Sequence, residues 1–262
     1  MRPALVALDV DGTITDADHA LSELTVAVLS RLRTAGVAGV IVTGRTERSA
    51  VGIARSVGFT APVVSCNGAL VTDPVTSERL WLRHMDPVVA LRAVRTARKL
   101  RCDATVWTAD AWYVEAPSST SELLAVLLGE QPRLRPLEAV IAGEEVVKVM
   151  LGGDPALLDA LGSVIEARVP GMVRSMRQLY EVAPVGATKR EALVFVLQTL
   201  AIAPEAAWGF GDSGNDVGWM SLLGRAIAPA NAFPGVLELA DVVIGHHAED
   251  GVAQYLVETI LS

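Results

Sequence analysis

The stretch Leu5–Asp16, LVALDVDGTITD, determines how the rest of the chain is interpreted. Its first four residues are apolar and predict a short buried strand, and two carboxylates, Asp9 and Asp11, follow almost at once. Gly12 allows the backbone to turn sharply behind them. Because ligands of an open parallel sheet bind beyond the carboxyl ends of its strands, we expect both carboxylates to project into a ligand-binding crevice.

The composition is that of a folded protein with excess negative charge. The 262 residues are 51% hydrophobic and 20% charged, and 30 acidic against 22 basic residues give a formal net charge of −8. This charge disfavours nucleic acid and anionic membrane as partners. The two cysteines, Cys66 and Cys102, provide neither a disulfide framework nor a zinc site, and no apolar stretch reaches the roughly 20 residues of a membrane span. We expect a cytoplasmic protein of two unequal domains.

The order of strand-like and helix-like segments predicts the domain organisation. The two types alternate in the first third of the chain and again from Lys189 onward. Such alternation is typical of right-handed βαβ units, and it predicts a doubly wound parallel sheet of the Rossmann-like α/β class. The middle of the chain instead pairs strands as hairpins with intervening helices, which indicates an antiparallel α+β unit. We expect a core of residues 1–83 and 185–262 with an α+β domain, residues 84–184, inserted into it.

A second acidic cluster follows a predicted strand near the end of the chain, in GFGDSGNDVGWM at residues 209–220. The spacing of Asp212 and Asp216 can present both carboxylates to one point, with Asn215 beside them. Taken alone, a Gly-Asp turn is equally well explained as the cap of the next helix. Together with the two carboxylates of the first strand, however, it predicts a site for a hard divalent cation, and oxygen ligands favour Mg²⁺.

Other strand and helix ends carry groups suited to a phosphate. Thr43, Gly44 and Arg45 follow the second predicted strand, where a hydroxyl, a backbone N–H and the start of a helix can hold a phosphoryl oxygen. Lys189 opens a predicted helix, a position that is unfavourable for a cation unless an anion lies nearby. Asn67 also lies at a strand end that should face the crevice. We expect these five residues to bind the substrate.

These motifs, in this order, resemble those of the haloacid dehalogenase (HAD) superfamily, and specifically its Cof-like phosphatases with a type IIB cap. They are DVDGT at residues 9–13, TGR at 43–45, Lys189, and GDSGND at 211–216. The resemblance spans the whole predicted core and makes the inserted domain the cap. It implies a phosphoric monoester hydrolase that acts on a small phosphorylated metabolite, such as a sugar phosphate or phosphoglycolate, with Mg²⁺ as cofactor.

The resemblance also implies a chemical role for each catalytic residue. Asp9 would be the nucleophile that attacks phosphorus and forms an aspartyl-phosphate. Asp11 would protonate the leaving alkoxide and then deprotonate the water that hydrolyses the intermediate. Thr43 and Lys189 would hold the phosphoryl group during its transfer.

The resemblance further implies a set of Mg²⁺ ligands. They would be the carboxylate of Asp9, the main-chain carbonyl of Asp11 and the carboxylate of Asp212. Asp216, with Asn215 beside it, would complete this shell or support it. The sequence leaves open which of these two roles Asp216 and Asn215 have.

Two other functions fit part of the pattern. A phosphomutase uses the same aspartyl-phosphate chemistry, but it should need a cap rich in phosphate-binding arginines, which is not evident here. A non-enzymatic phospho-switch of the receiver type combines similar acids, a hydroxyl and a lysine. It lacks an inserted domain and an acid two residues after the nucleophile, so the phosphatase is the function that we expect. The sequence indicates neither the substrate nor the oligomeric state.

Several conspicuous side chains have simpler explanations. His246 and His247 are adjacent in a predicted loop, and we expect them to be solvated rather than to bind a metal. Trp107, Trp112 and Tyr113 lie on a predicted hairpin of the inserted domain. Alternate positions of such strands are buried, so we expect these rings in the core of that domain, with the alternative that one of them faces the substrate.

Overall fold

The computed structural model describes residues 2–17 and 19–262. The chain divides into two units, which we call the core unit, Met1–Leu82 with Ala187–Ser262, and the inserted unit, Arg83–Gly186. Within the part of the chain that the structure describes, no helix is long and apolar enough to cross a lipid bilayer.

The secondary structure has the following bounds. The strands are, in chain order, β1 (Leu5–Leu8), β2 (Ala38–Ile41), β3 (Val63–Ser65), β4 (Leu70–Thr72), β5 (Arg79–Leu82), β6 (Asp103–Thr108), β7 (Trp112–Val114), β8 (Arg133–Leu134), β9 (Val146–Gly152), β10 (Val173–Met176), β11 (Leu179–Val182), β12 (Ala207–Phe210), β13 (Arg225–Pro229) and β14 (Val242–Ile244). The helices are α1 (Glu23–Arg31), α2 (Glu47–Ser56), α3 (Pro87–Leu100), α4 (Ser119–Leu128), α5 (Leu137–Gly143), α6 (Pro155–Arg168), α7 (Lys189–Thr199), α8 (Val217–Met220), α9 (Pro234–Leu239) and α10 (Gly251–Leu256).

A parallel sheet of five strands, in the order β14-β13-β12-β1-β2, lies at the centre of the core unit. Successive residues of β1 enter different hydrophobic clusters. Val6 and Leu8 pack with residues of α1, α2 and α10, whereas Leu5 and Ala7 pack with residues of α7, α8 and α9. Because helices cover both faces of the sheet, its strands are continuous apolar runs. The predicted doubly wound α/β core is confirmed.

The third predicted strand, β3, has a different place from β1 and β2. A single parallel bridge between Val42 and Val64 joins it to the chain after β2. Its other edge pairs antiparallel with β4, which pairs antiparallel with β5. The chain reverses directly after β3 through one short 3₁₀ turn, Cys66–Gly68, in which Asn67 has φ 56°. No α-helix therefore separates β3 from β4.

The inserted unit has a sheet in the order β10-β11-β9-β6-β7-β8, antiparallel except for the β7–β8 pair. Its helices α3, α5 and α6 pack on one face, where Val94, Val140 and Ile165 share a hydrophobic cluster with Val106 and Val149 of the strands. The predicted α+β insertion is confirmed. The sequence analysis did not resolve α4, β8 and α5, because the segment between β7 and β9 lacks hairpin signals.

Candidate active site

The end of the central strand carries the first predicted site residue. Asp9 follows β1 directly, and its backbone N–H donates to the carbonyl oxygen of Phe210, the last residue of β12, at 2.9 Å. Asp212 lies two residues beyond the end of the same strand β12. Since β1 and β12 run parallel in register, their carboxyl ends lie side by side. The two acidic motifs therefore meet at one edge of the sheet, as the sequence predicts.

A buried ammonium group joins the two motifs. Lys189 Nζ donates to Asp9 Oδ1 at 2.6 Å and to Asp216 Oδ1 at 2.7 Å, and it lies 3.4 Å from Asn215 Oδ1. Burial by itself would lower the pKa of Lys189, but the carboxylates of Asp216 and Asp9 outweigh it and raise that pKa. The side chain of Thr188 caps α7 and fixes Lys189 as its first residue. The anions expected beside this helix start are therefore present.

Asp216 is fully buried, and both of its carboxylate oxygens are hydrogen-bonded. Oδ1 accepts from Lys189 Nζ and from Trp219 Nε1, the latter at 2.9 Å. Oδ2 accepts from the backbone N–H groups of Asp212, at 3.1 Å, and of Ser213, at 2.9 Å. The sequence analysis did not single out Trp219. The pattern that could have identified it is its position in α8, three residues after Asp216. Asp216 thus organises the loop that presents Asp212.

Three carboxylates come close enough to share a cation. One oxygen each of Asp9, Asp212 and Asp216 lie within 4.8 Å of one another. Burial is the main influence on Asp9 and raises its pKa well above the usual range, against the opposing effect of the Lys189 ammonium. Burial and the charge of Asp216 likewise raise the pKa of Asp212 to about 6. A single ammonium does not neutralise three carboxylates, so this all-oxygen set fits a hard divalent cation.

Asp11 points its carboxylate to a different neighbour. Arg45 holds it in a bidentate pair, with Nε 3.0 Å from Oδ2 and Nη2 2.7 Å from Oδ1. Arg45 Nη2 also donates to the carbonyl oxygen of His19 at 3.0 Å. The Asp11 side chain is 41% exposed, whereas that of Arg45 is 10% exposed. Arg45, which we predicted to bind substrate, therefore contacts the predicted proton donor directly.

The remaining predicted residues form a second group at this edge. The backbone N–H of Asn67 donates to the carbonyl oxygen of Thr43 at 3.0 Å, and Asn67 Oδ1 accepts from Asn215 Nδ2 at 3.1 Å. Thr43 is buried, and its hydroxyl oxygen accepts from the backbone N–H of Arg45 at 3.1 Å. A side chain on Gly44 would collide with Asn67, since its Cβ would lie 2.8 Å from Asn67 Oδ1. All predicted site residues thus belong to one connected set of contacts in the core unit.

Asn231 and His247, both in the C-terminal part of the chain, support the loop after Asp11. Asn231 Nδ2 donates to the carbonyl oxygen of Gly12 at 2.8 Å, and Asn231 Oδ1 accepts from the backbone N–H of His247 at 3.0 Å. His247 Nδ1 lies 2.7 Å from the carbonyl oxygen of Thr15. His246 is exposed, and the half-buried ring of His247 additionally reaches this loop from far along the chain. No local pattern marks Asn231, which the sequence analysis missed.

A family model described as haloacid dehalogenase-like hydrolase matches residues 6–256. The chain belongs to this family. It is 24% identical over 272 residues to pyridoxal phosphate phosphatase YbhA of Escherichia coli (strain K12), with 100% of both chains covered. It is 26% identical over 258 residues to HMP-PP phosphatase of Citrobacter koseri, covering 96% of this chain and 94% of that relative.

The fold is also shared with solved structures of the family. A haloacid dehalogenase-like hydrolase from Bacteroides thetaiotaomicron has a TM-score of 0.89 at 23% identity, covering 98% of this chain and 99% of that one. The resemblance inferred from the four motifs is therefore confirmed. The chain is a HAD-type enzyme, and the predicted class, a phosphoric monoester hydrolase, is confirmed as well.

The backbone at Gly12 gives a first test of the site. Gly12 has φ +77°, and a Cβ there would lie 2.5 Å from Asp212 Oδ2, whereas Gly36 has φ +76° with open space around it. We expect Gly36→Ala to lower the free energy of unfolding by about 1 kcal/mol, the cost of a positive φ, and Gly12→Ala to lower it by at least that much, because its Cβ also collides with Asp212. If the carboxylate cluster holds a divalent cation, only Gly12→Ala should also weaken its binding, at least tenfold, because it displaces Asp212. Chemical unfolding and calorimetric titration with a divalent cation measure the two effects, and equal cation affinity in both variants would contradict the geometry.

The raised pKa of Asp212 predicts how stability depends on pH in metal-free protein. Its carboxyl has a usual pKa of 3.8 and a folded pKa of about 6, so the folded state binds more protons across this window. Stability conferred by the protonated carboxyl is therefore lost as the pH rises through about 6. We expect Asp212→Asn to unfold at a higher temperature than wild type at pH 7–8, with the difference closing by pH 4.

The control for this prediction is Glu166→Gln, which replaces an exposed carboxylate of the inserted unit. Thermal unfolding in a chelator, from pH 4 to 8, should show no pH-dependent difference between this control and wild type. A parallel pH profile for Asp212→Asn and wild type would show that Asp212 titrates normally in the folded protein.

Proposed function

We propose that the enzyme is a Mg²⁺-dependent phosphatase that hydrolyses a small phosphorylated metabolite through an aspartyl-phosphate on Asp9. One observation carries this proposal: the Asp9 carboxylate, at the end of the central strand, is held by the Lys189 ammonium beside two further carboxylates. A structural ion pair would need one acid for the lysine. The surplus of acids is explained by a cation and a phosphate that the site has to hold.

Asp9 is the group that we assign to attack on phosphorus. A carboxylate is a weak nucleophile and is repelled by a phosphate dianion. Lys189, bonded to Asp9 Oδ1, offsets this repulsion and can also contact the phosphoryl oxygens as charge develops on them. The buried hydroxyl of Thr43 and the backbone after it supply further donors for the same oxygens.

Asp9, Asp212 and the main-chain carbonyl of Asp11 would hold Mg²⁺, as the family resemblance implies. Bound Mg²⁺ supplies positive charge that offsets the charge of the phosphoryl group. We assign Asp216 to support rather than to direct ligation, because both of its oxygens already accept hydrogen bonds. Asn215 has a similar role, since its amide contacts Asn67 and its Oδ1 accepts from the Ser213 hydroxyl at 2.7 Å.

Asp11 is the group that we assign to proton transfer, first to the leaving alkoxide and then from the attacking water. Its side chain is partly exposed and paired with Arg45. Proton transfer requires the carboxyl of Asp11 to reach the substrate oxygen. We therefore propose that the bidentate contact with Arg45 opens during turnover and that Arg45 then becomes available to the substrate, as predicted from its position.

The substrate class is part of the proposal. The two relatives are named for pyridoxal phosphate and HMP-PP, both small phosphorylated compounds. We extend that class to this enzyme, with sugar phosphates and phosphoglycolate-like compounds included. The inserted unit would act as the cap that selects among them and excludes water from the reaction.

Phosphate release from a panel of substrates tests this function. The panel contains pyridoxal phosphate, sugar phosphates, phosphoglycolate and p-nitrophenyl phosphate, each with Mg²⁺ and with a chelator. We expect turnover that needs Mg²⁺ and that falls at least about 10³-fold in Asp9→Asn, because the nucleophile is removed. Asp159→Asn, which replaces an exposed carboxylate of the inserted unit, is the matched control and should retain wild-type turnover.

Other outcomes would exclude the proposal. Undiminished turnover in Asp9→Asn would show that Asp9 is not the nucleophile. A stable phosphorylated Asp9 without release would favour a phospho-switch. Transfer of the phosphoryl group to a second position of the substrate, without release, would favour the mutase.

A further inference from the structure

A cavity of about 550 Å³ in the inserted unit is lined by α3 and by the end of α6. Every residue of its lining belongs to this unit, so the cavity is complete without the core unit. None of the described residues that line it is acidic. Four of its lining side chains are basic, and we call them the cavity cations: Arg92, Arg95 and Lys99 of α3 and Arg168 of α6.

The cavity cations of α3 lie along one face of that helix. Arg92, Arg95 and Lys99 follow one another at intervals of three and four residues, which places their side chains next to each other. With a rise of 1.5 Å per residue, the row extends about 10 Å along the helix axis. Like charges at this spacing repel one another. The row is long enough to contact more than one anionic group of the same ligand.

The chain does not supply the negative charge that would balance this row. Over residues 2–17 and 19–262, the side chains of the four cavity cations form neither a hydrogen bond nor an ion pair. Arg98 of the same helix differs, because its guanidinium is paired with Glu115 and with Glu138. The pKa of Glu138 is lowered chiefly by the hydrogen bond from Arg98, and the charge of Arg95 has a lesser effect on it.

The helix dipole explains only part of this arrangement. Lys99 and Arg168 lie in the last turns of α3 and α6, where the dipole favours a cation even without a ligand. Arg92 and Arg95 precede the last turn of α3, so they gain little from the dipole and are repelled by their neighbours. A ligand with negative charge would offset this repulsion.

Thr96 adds a buried polar group to the same cavity. It lines the cavity and is 5% exposed. A threonine inside a helix commonly donates to the carbonyl four residues earlier. The Thr96 hydroxyl makes no hydrogen bond within residues 2–17 and 19–262. It is therefore available to donate to an oxygen of a molecule in the cavity.

A second cavity, in the core unit, shows the contrasting case. It has a volume of about 690 Å³ and is lined by residues of α2, β4 and β5 and of the turn between the two strands. Two of its arginines are bound within the chain. Arg79 Nη2 lies 2.7 Å from Glu47 Oε2, and Arg55 Nη2 donates to the Ser77 hydroxyl at 2.7 Å. The chain thus provides partners for arginines of one cavity and not for the cavity cations.

We propose that the cavity cations and Thr96 form a binding site for a small polyanion, a molecule with two or more phosphate or carboxylate groups. Guanidinium groups bind both kinds of oxyanion through paired hydrogen bonds. The cavity has the volume of a small-molecule site. Four cations in a chain with a net charge of −8 form too small a basic surface for nucleic acid or an anionic membrane. The site is independent of the proposed phosphatase function.

Calorimetric titration of the full chain with tripolyphosphate and, separately, with citrate tests the site. A chelator is present, so that no metal links the probe to the carboxylates around Asp9. We expect one probe molecule to bind per chain, and at least tenfold weaker binding in the double variant Arg92→Gln/Arg95→Gln, because two cations of the row are removed. Preference for tripolyphosphate would identify a phosphate site, and preference for citrate a carboxylate site.

The matched control is Arg133→Gln, which replaces an exposed arginine of the same unit that does not line the cavity. It should bind the probes with wild-type affinity. Equal affinity of wild type and the double variant would overturn the proposal, because the probe would then bind elsewhere. Absence of binding to wild type would also overturn it and would make the cavity cations a solvated helix face.

Thermal unfolding gives a second measurement that a purely structural role would not reproduce. Without a probe, the double variant should unfold at the wild-type temperature or above it, because repulsion within the row is relieved. A polyanion that binds the folded state raises its melting temperature. We expect this rise in wild type and in Arg133→Gln and a smaller one in the double variant. A lower melting temperature of the double variant, with an equal rise in all three proteins, would show that the arginines only stabilise the helix.

Discussion

The buried contacts of Lys189 with Asp9 and Asp216 are the interaction on which the rest of the site depends. The three groups come from the two acidic motifs and the start of α7, and their burial makes each charge costly unless the others are present. Lys189 follows Asp9 by 180 positions. The core unit is therefore built from both ends of the chain, and the insertion between them leaves the parallel sheet uninterrupted.

The burial that makes the site suitable for a cation also lowers the stability of the fold when no metal is bound. The raised pKa values of Asp9 and Asp212 show that their ionised forms are not fully compensated by Lys189. Gly12 has no side chain, so Asp212 can approach the loop after β1 closely. Stability without metal is thus lowered by the arrangement that creates the candidate metal site, as is common where function requires concentrated charge.

The two faces of the inserted sheet have different chemistry. One face packs apolar residues against α3, α5 and α6 and is sufficient to explain why this unit folds. The opposite face buries Lys148 and the indole N–H of Trp112, which hydrophobic packing does not require. The two faces of this sheet are therefore held by different interactions.

The sequence by itself determined the α/β class, the inserted α+β unit and the positions of Asp9, Asp212 and Lys189 at strand and helix ends. These features are local, because hydrophobic periodicity, turns and helix starts are determined by residues that are close together in the sequence. Only the tertiary structure decided that Arg45 pairs with Asp11, that Trp219 completes the partners of Asp216 and that His247 reaches Thr15. The last contact joins residues 232 positions apart, and packing across such distances depends on the assembled sheet rather than on any local pattern.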